Sequence, residues 1–583
     1  MKKQLPTPRP RTIGRLLSYV KPYMFWLVLA LFFALLQIAA TLFAPIVIGN
    51  AIDYIIGKNN VDFNAVFKRL FILGGLIATA SLFQWLVSLC TNKVAYRTIR
   101  DIRRDAFDKL NRVPLKVIDG SSRGDLMTRV GADTEQISDG LIQGFTQLFT
   151  GVVTVVGTLC FMLGVNPWVT LVVVVVTPLS IIVAYFIAKG CHDKFAAQSD
   201  MRGKLGGLTE EMLSDIKTVK AFSYEQTAEK RFDKINCELK KVGIKAMFYS
   251  AMVNPCTRFV NGIVYAAVAI MGAFLAIKGD MSVGDLSCFL TYANQYTKPF
   301  NEITGVITEL QTATAAAARV FKLLDEKEEA DDSFGTDFTA KGNVSIRHAE
   351  FSYSKERPLI TDFNLEVKSG QRVAIVGPTG CGKTTLINLL MRFYDVNGGE
   401  ILIDGVPIKD MTRKALRRNF GMVLQDSWLF RGTIRENIAY GKDDATQEEI
   451  EEAAKKARIH NFIMRLKDGY DTVISDNGDG ISQGQRQLLC IARVMLMDPP
   501  MLILDEATSN IDTRTEIKIQ KAFALMMQGR TSFIVAHRLS TIKEADIILV
   551  MKDGNVIEKG NHASLMQQGG FYKTLFEAGY GDD

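Results

Sequence analysis

Histidine is scarce in this chain, five in 583 residues, and tryptophan numbers only four. The eight cysteines (Cys90, Cys160, Cys191, Cys237, Cys256, Cys288, Cys381 and Cys490) form no C-x-x-C pair, and the short loops expected outside carry none. That excludes a disulfide framework and a thiolate zinc site. Charge is missing in blocks: residues 22–52, 70–92, 140–188 and 259–277 hold no Asp, Glu, Lys or Arg. Net charge is a mild +7, and hydrophobic residues make up 48%, unevenly placed. No cleavable signal is apparent, because the first apolar segment is far longer than a signal-peptide core. The length alone calls for several domains.

What is present falls into two halves. A membrane span needs about 20 apolar residues, which places spans near 23–49, 70–92, 141–163, 168–188, 250–277 and 284–310. The uncharged run 140–188 holds two of them, broken at Gly164-Val165-Asn166-Pro167. Short loops near 54–66, 164–167 and 278–283 alternate with the long segments 93–139 and 189–249. The first long segment carries Arg97, Arg100, Arg103, Arg104, Lys109, Arg112 and Lys116, and the second is lysine-rich. By the positive-inside rule these segments and both termini are cytoplasmic. Lys93 to Arg112 lacks Gly and Pro, so the helix there continues beyond the bilayer. Residues 1–21, with Lys2, Lys3, Arg9, Arg11, Arg15 and Lys21 against Ile13, Leu16, Leu17 and Val20, suit the cytoplasmic membrane surface. A disordered basic tail is the alternative.

Polar residues in the last two spans mark a pathway. The fifth holds Asn254, Arg258 and Asn261, and the sixth, weakest in hydropathy, holds Gln295, Lys298 and Glu302. Ionisable groups at membrane depth are costly and face an interior or an aqueous cavity. The competing reading has Arg258 and Glu302 snorkelling at the inner interface. Gln37, Asn50 and Gln84 suit interhelical hydrogen bonds as well as a pathway.

From about residue 340 the pattern is that of a soluble α/β protein. Gly377-Pro378-Thr379-Gly380-Cys381-Gly382-Lys383-Thr384-Thr385 fits G-x-x-x-x-G-K-[ST]. An apolar strand, Arg372 to Val376, precedes it and a helical pattern from Leu386 follows. Glycines let backbone N–H groups turn inward around phosphates, and the helix N-terminus adds partial positive charge. Lys383 reaches the β- and γ-phosphates and the Thr384 hydroxyl ligates Mg²⁺. Cys381, inside this loop, is either an oxidation or alkylation target or a tolerated small residue. Met501 to Leu504 is an apolar strand ending in Asp505 and Glu506. There Asp505 supports Mg²⁺ and Glu506 polarises the attacking water.

These motifs, in this order over nearly the whole chain, resemble the ATP-binding-cassette exporter half-transporters. The resemblance implies a membrane α-helical domain with six long spanning helices plus a C-terminal α/β P-loop nucleotide-binding domain. It assigns Tyr353 to adenine, Gln425 to Mg²⁺ and the attacking water, and His537 to the γ-phosphate. Ile481-Ser482-Gln483-Gly484-Gln485 stands where the family signature belongs, and Asp512 ends the loop that crosses the dimer interface. Residues 113–129 and 210–225 resemble the two cytoplasmic coupling regions. The expected organisation is then a basic segment at 1–21, a transmembrane domain at 22–320, a linker at 321–342 and a nucleotide-binding domain at 343–583.

Two departures stand out: Gln483 replaces the usual glycine, and Ser475 to Gly480 replaces a glycine-glutamate-arginine-glycine stretch. The family completes each ATP site with the signature of a second half. Keeping Glu506 and His537, this chain resembles the consensus half of a heterodimer, with a homodimer as the alternative. The implied activity is ATP-driven export of amphipathic small molecules across the cytoplasmic membrane, with Mg²⁺ and no nucleic acid. A lipid flippase, a peptide exporter and an ATP-gated channel are the competing readings.

Overall fold

The computed structural model describes residues 10–55, 61–329, 338–354, 358–424, 427–442, 444–475, 480–505, 511–536 and 539–580. It divides into two units, one of residues 1–112 and 121–326 and the other of residues 113–120 and 327–583.

The first unit is helical. Its six long helices are Met24–Asp53, Phe63–Leu110, Ala132–Val165, Pro167–Ser214, Glu225–Lys278 and Val283–Leu324. Among the described residues, four stretches are long and apolar enough to cross a membrane: Thr12–Asp53, Phe63–Leu110, Gly124–Val165 and Arg258–Lys278. Pro167–Thr177 is a shorter apolar segment. The sequence led us to expect six. The last helix falls short because Asp285, Asn294, Gln295 and Lys298 interrupt its apolar face.

Local chemistry sets the helix ends. Asn166 accepts hydrogen bonds from the backbone N–H groups of Trp168 and Val169, and Pro167 takes the first helical position, where no donor is needed. Ser282 and Asp285 form a reciprocal capping box. Helices pack in antiparallel pairs: Met24–Asp53 on Phe63–Leu110, Ala132–Val165 on Val283–Leu324, and Pro167–Ser214 on Glu225–Lys278. The third pair packs chiefly on itself.

Helices Met24–Asp53 and Val283–Leu324 touch backbone to backbone. A Cβ on Gly49 would sit 2.5 Å from the Gly284 carbonyl oxygen, and one on Gly284 would sit 2.1 Å from that of Gly49. Asp53 closes the contact, accepting from Gly284 N at 2.7 Å and Ser282 Oγ at 2.8 Å. Further along, Arg319 donates to the buried Asp133 carboxylate at 2.8 Å, joining helices Ala132–Val165 and Val283–Leu324.

The amphipathic helix Pro10–Val20 is held by its polar side. Arg15 pairs with Asp325 and lies over the Phe321 ring, while Tyr19 stacks on the same ring and donates to Asp105. Ile13 and Leu17 stay exposed.

The second unit is built on twelve short strands among the described residues. They are β1 Val344–Phe351, β2 Ile360–Val367, β3 Arg372–Val376, β4 Gly398–Ile403, β5 Val406–Pro407, β6 Phe420–Val423, β7 Gly432–Thr433, β8 Val473–Ile474, β9 Met501–Asp505, β10 Thr531–Val535, β11 Ile547–Lys552 and β12 Asn555–Gly560. The main sheet has the order β12-β11-β3-β10-β9-β6, parallel except for β12. A smaller antiparallel sheet runs β2-β1-β4-β5.

Alternation along the parallel strands separates two cores. Ala374, Val376, Leu502 and Leu504 pack with the helix Gln483–Met497 on one face. Val373, Ile375, Met501 and Ile503 pack on the other with the helix Lys383–Leu390 and strands β1, β2 and β4.

Asp404, in the β4–β5 turn, ties down the entry to β1. Its carboxylate accepts from the backbone N–H groups of Lys341, Gly342 and Asn343 at 2.5 to 3.3 Å and from the Asn343 side chain at 2.6 Å. Burial works against the charge, yet the hydrogen bonds from Asn343, Lys341 and Gly342 outweigh it and hold the carboxyl below its usual range. A depressed folded-state pKa stabilises the fold above the unfolded carboxylate value, and that contribution disappears as pH falls through the folded value. Asp404→Ala is therefore expected to destabilise the unit by about 1–3 kcal/mol at neutral pH. The deficit should shrink below about pH 4. Thermal unfolding of the two proteins at several pH values checks this, and a deficit independent of pH would remove the carboxylate as its source.

Candidate functional site

The loop Gly377–Gly382 leaves the C-terminal end of β3 and opens directly into the helix Lys383–Leu390. Strand β10 separates β3 from β9 and pairs Val535 with both Ile375 and Asp505, so Asp505 ends its strand level with the loop. The loop lies hard against β11. A Cβ on Gly377 would meet the Met551 carbonyl oxygen at 2.3 Å and Cys381 Sγ at 2.8 Å. Gly554 N, in the β11–β12 turn, donates to Cys381 O at 3.1 Å. The Lys383 ammonium is bound back over the loop, donating to Gly377 O at 2.7 Å and Pro378 O at 3.1 Å. Thr384 is exposed, whereas Thr385 is buried. A helix N-terminus, a cation and a loop whose first glycine leaves no room for a side chain together fit a triphosphate.

Tyr353 stands beside this loop. Its hydroxyl lies 3.2 Å from Thr385 Oγ1, and its ring, 44% exposed, meets the edges of Phe351 and Tyr394 at 4.9 and 5.1 Å. Tyr394 in turn donates to Asp119 at 2.5 Å. Burial and that hydrogen bond push the Tyr394 phenol well above its usual range. Asp119 ends the short helix Leu115–Asp119, which belongs to this unit. Sequence reasoning missed Tyr394, because nothing in the spacing ties it to Tyr353.

The signature residues lie elsewhere. Ser482 caps the helix Gln483–Met497, with Gln485 N donating to Ser482 Oγ and Ser482 N to Gln485 Oε1. Ser-x-x-Gln before an apolar helix is a readable capping box, so Gln485 has a structural use that the sequence already signalled. Gln483 occupies the first helical turn without displacing anything. Gly484 cannot be replaced as easily, since a Cβ there would be 2.5 Å from Thr515 Cγ2 and 2.9 Å from Ile511 Cγ2. Asp512 caps the next helix through Thr515 N at 2.9 Å, a bond that lowers its carboxyl pKa. Among the described residues, no hydrogen bond joins Ser482, Gln483, Gln485 or Asp512 to the phosphate loop.

Gln425, Glu506 and His537 fall outside the described residues, as do the side chains of Asn254 and Glu302. Among the described residues no three His, Cys, Asp or Glu side chains gather as a metal site. Of the remaining pathway candidates, Arg258 and Lys298 are exposed and Asn261 and Gln295 half-buried.

Residues 360–509 match the family model of the ABC transporter, and residues 27–300 match that of the ABC transporter transmembrane region. The chain belongs to the ATP-binding-cassette transporters. An uncharacterized ABC transporter ATP-binding protein of Bacillus subtilis is 41% identical to this ABC transporter over 570 residues, 97% of this chain and 94% of the relative. A fatty acid ABC transporter ATP-binding/permease protein of Mycobacterium bovis is 41% identical over 524 residues, 90% and 83% of the two chains. A Staphylococcus aureus protein whose name provisionally assigns it to multidrug export is 34% identical over 576 residues, 97% and 99%. This ABC transporter is thus a multi-pass membrane protein with a cytoplasmic nucleotide-binding domain, an ATP-hydrolysing enzyme that uses ATP and Mg²⁺.

The crowding at Gly377 has a direct consequence. Gly377→Ala must push the loop off β11, because its neighbour there is a backbone carbonyl rather than a flexible side chain. ATP affinity, measured by equilibrium binding to the intact transporter, is expected to fall at least about tenfold, or 1.4 kcal/mol. Unchanged affinity would mean that this loop does not hold the phosphates.

Proposed function

We propose that this ABC transporter is one half of a dimeric exporter that moves amphipathic small molecules across the cytoplasmic membrane by alternating access. The observation that carries the reading is the division of the nucleotide chemistry. The phosphate loop and the signature helix belong to opposite cores of the second unit, with no hydrogen bond between them among the described residues. A second half-transporter laying its own signature over the loop completes the site. The helix pair Pro167–Ser214 and Glu225–Lys278, packed chiefly on itself, supports the same partner. All six long helices cross the bilayer in this reading, the sixth lining an interior path.

The residues then act as follows. Backbone N–H groups of 379–385 and the Lys383 ammonium hold the phosphates, and the Tyr353 ring stacks on the base. Thr384, Asp505 and Gln425 hold Mg²⁺, which when bound neutralises charge on the phosphate oxygens. Glu506 takes the proton of the attacking water, and His537 holds the terminal phosphate. Ser482, Gln483, Gly484, Gln485 and Asp512 serve the nucleotide of the partner half. Asn254, Arg258, Asn261, Gln295, Lys298 and Glu302 border the cargo path. Retention of both Glu506 and His537 favours the consensus half of a heterodimer.

The function of the mycobacterial relative, fatty-acid transport, favours a second reading in which the cargo is a long-chain carboxylate.

Two experiments test the proposal. Glu506→Gln should leave ATP binding intact and lower turnover by about 10²–10⁴-fold; turnover near wild type would rule out Glu506 as the base. Purification of the tagged chain from its own membrane should bring a second half-transporter in equal amount, whereas recovery of this chain alone as a dimer would make the two sites equivalent.

A further inference from the structure

Arg458 occupies a backbone conformation that glycine would take at little cost. It follows the helix Gln447–Lys456 with φ at +60°, in the left-handed region. Arg458 N donates to Lys455 O and Ile459 N to Ala454 O, both at 3.0 Å, the pattern in which a helix ordinarily closes on glycine. The Arg458 side chain is exposed and, among the described residues, makes no hydrogen bond or ion pair. An arginine held at a strained position, touching nothing of its own chain, points to a use outside it.

Arg458 lines a cleft of about 580 Å³ together with Lys455, Arg465, Arg514 and Lys518. Sites for small ligands run from about 300 to 1,000 Å³. Among the described residues, none of the side chains lining this cleft is acidic. Two of the five cations are partly engaged at its edge, Lys455 with Glu451 at 4.0 Å and Lys518 with Asp512 through their charges. Arg465 and Arg514, like Arg458, are exposed and have no partner among the described residues.

The cations come from two separate stretches, residues 455–465 and the start of the helix Thr513–Met527. Like charges facing one space repel, and a multivalent anion offsets that repulsion better than scattered counter-ions. The rest of the lining suits the same guest. Asn461 and Thr515 offer polar groups, and Phe462 offers a half-buried ring. Gln485 and Thr515 lie in the first turns of two helices, whose starts carry partial positive charge. His460, also at the cleft, has its Nδ1 bonded to Tyr470 Oη at 2.8 Å and adds no charge to this count. The cleft shares no residue with the phosphate loop, Tyr353 or Asp505.

We propose that this cleft is a second anion site, apart from the ATP held by the phosphate loop, and that it takes an oligophosphate, free or as the tail of a nucleotide. Guanidinium forks match phosphate oxygens two at a time, and three unpaired forks call for more than one phosphate. The proposal stands independently of the cargo and of the dimer partner.

The test uses the full transporter in phosphatidylcholine nanodiscs, with inorganic triphosphate as the probe in calorimetric titrations. In Lys383→Ala, whose phosphate loop is disabled, triphosphate should still bind at one site per copy of this chain. Adding Arg458→Gly or Arg514→Gln to that protein should weaken the binding at least about tenfold. With Lys383 intact, the same two changes should leave the ATP concentration for half-maximal turnover unmoved. Arg458→Gly should not lower the unfolding midpoint, because glycine suits the left-handed backbone there. ADP binding to Lys383→Ala more tightly than triphosphate would identify a nucleotide as the source, and the reverse order a free oligophosphate.

Loss of all triphosphate binding in Lys383→Ala would confine it to the phosphate loop and overturn the proposal. So would a higher ATP requirement in the Arg458 and Arg514 variants, which would make the cleft part of the nucleotide site. Sulfate competing as well as triphosphate at equal ionic strength would reduce the cleft to a solvated basic surface. Binding losses that track a falling unfolding midpoint would make Arg458 a helix-end residue and nothing more.

Discussion

The carbonyl of Met551 lies where a methyl group on Gly377 would go, so the loop after β3 packs over the end of β11 only because residue 377 has no side chain. Much of the second unit follows from that approach. The turn delivers the N-terminus of the helix Lys383–Leu390 to the strand ends, the Lys383 ammonium folds over the loop, and Gly554 pins the loop to the neighbouring hairpin. Alternating residues of β3 and β9 then send one core to this helix and the other to the helix Gln483–Met497. Both motifs are thereby held on the same sheet while staying in separate hydrophobic environments.

The phosphate loop was legible because its constraint is covalent and local. A strand, two spaced glycines, a lysine and a threonine leave little freedom in how the backbone closes. The Asn166-Pro167 break was legible for the same reason, since cap and proline both act within one turn. The span count was harder to read. The last long helix mixes Asp285, Asn294, Gln295 and Lys298 with apolar residues, and hydropathy averages over faces that a helix bundle treats separately. Tyr394 could not be read at all, because its contacts with Tyr353 and Asp119 come from chain segments far apart in sequence. The cap that Gln485 makes with Ser482 is local, whereas its place at a nucleotide comes from the family resemblance alone.

The two units manage their polar groups differently. In the second, carboxylates such as the half-buried Asp404 and the exposed Asp512 are spent on backbone N–H groups at turns and helix starts, where water can share the work. In the first, the buried Asp133 has Arg319, and threonines such as Thr91, Thr170 and Thr177 bond back to carbonyls of the preceding turn. Against that background, the buried oxygens of Gln37, Thr98, Ser138, Thr158, Asn261 and Gln295 are exceptions.

The contact of Gly49 with Gly284 joins two long rods at one end. With Asp53 bonded to both Ser282 and Gly284, the rods have no slack there, so separating them at that end requires breaking hydrogen bonds and exposing bare backbone. Rods pinned in this way part by pivoting, a motion that must also break the Tyr292 hydrogen bond to Leu42 O two turns along the shafts, and a rotation of a few degrees at the pin grows in proportion to distance from it. The geometry is that of a pair of tongs, whose grip and opening are both decided far from the rivet.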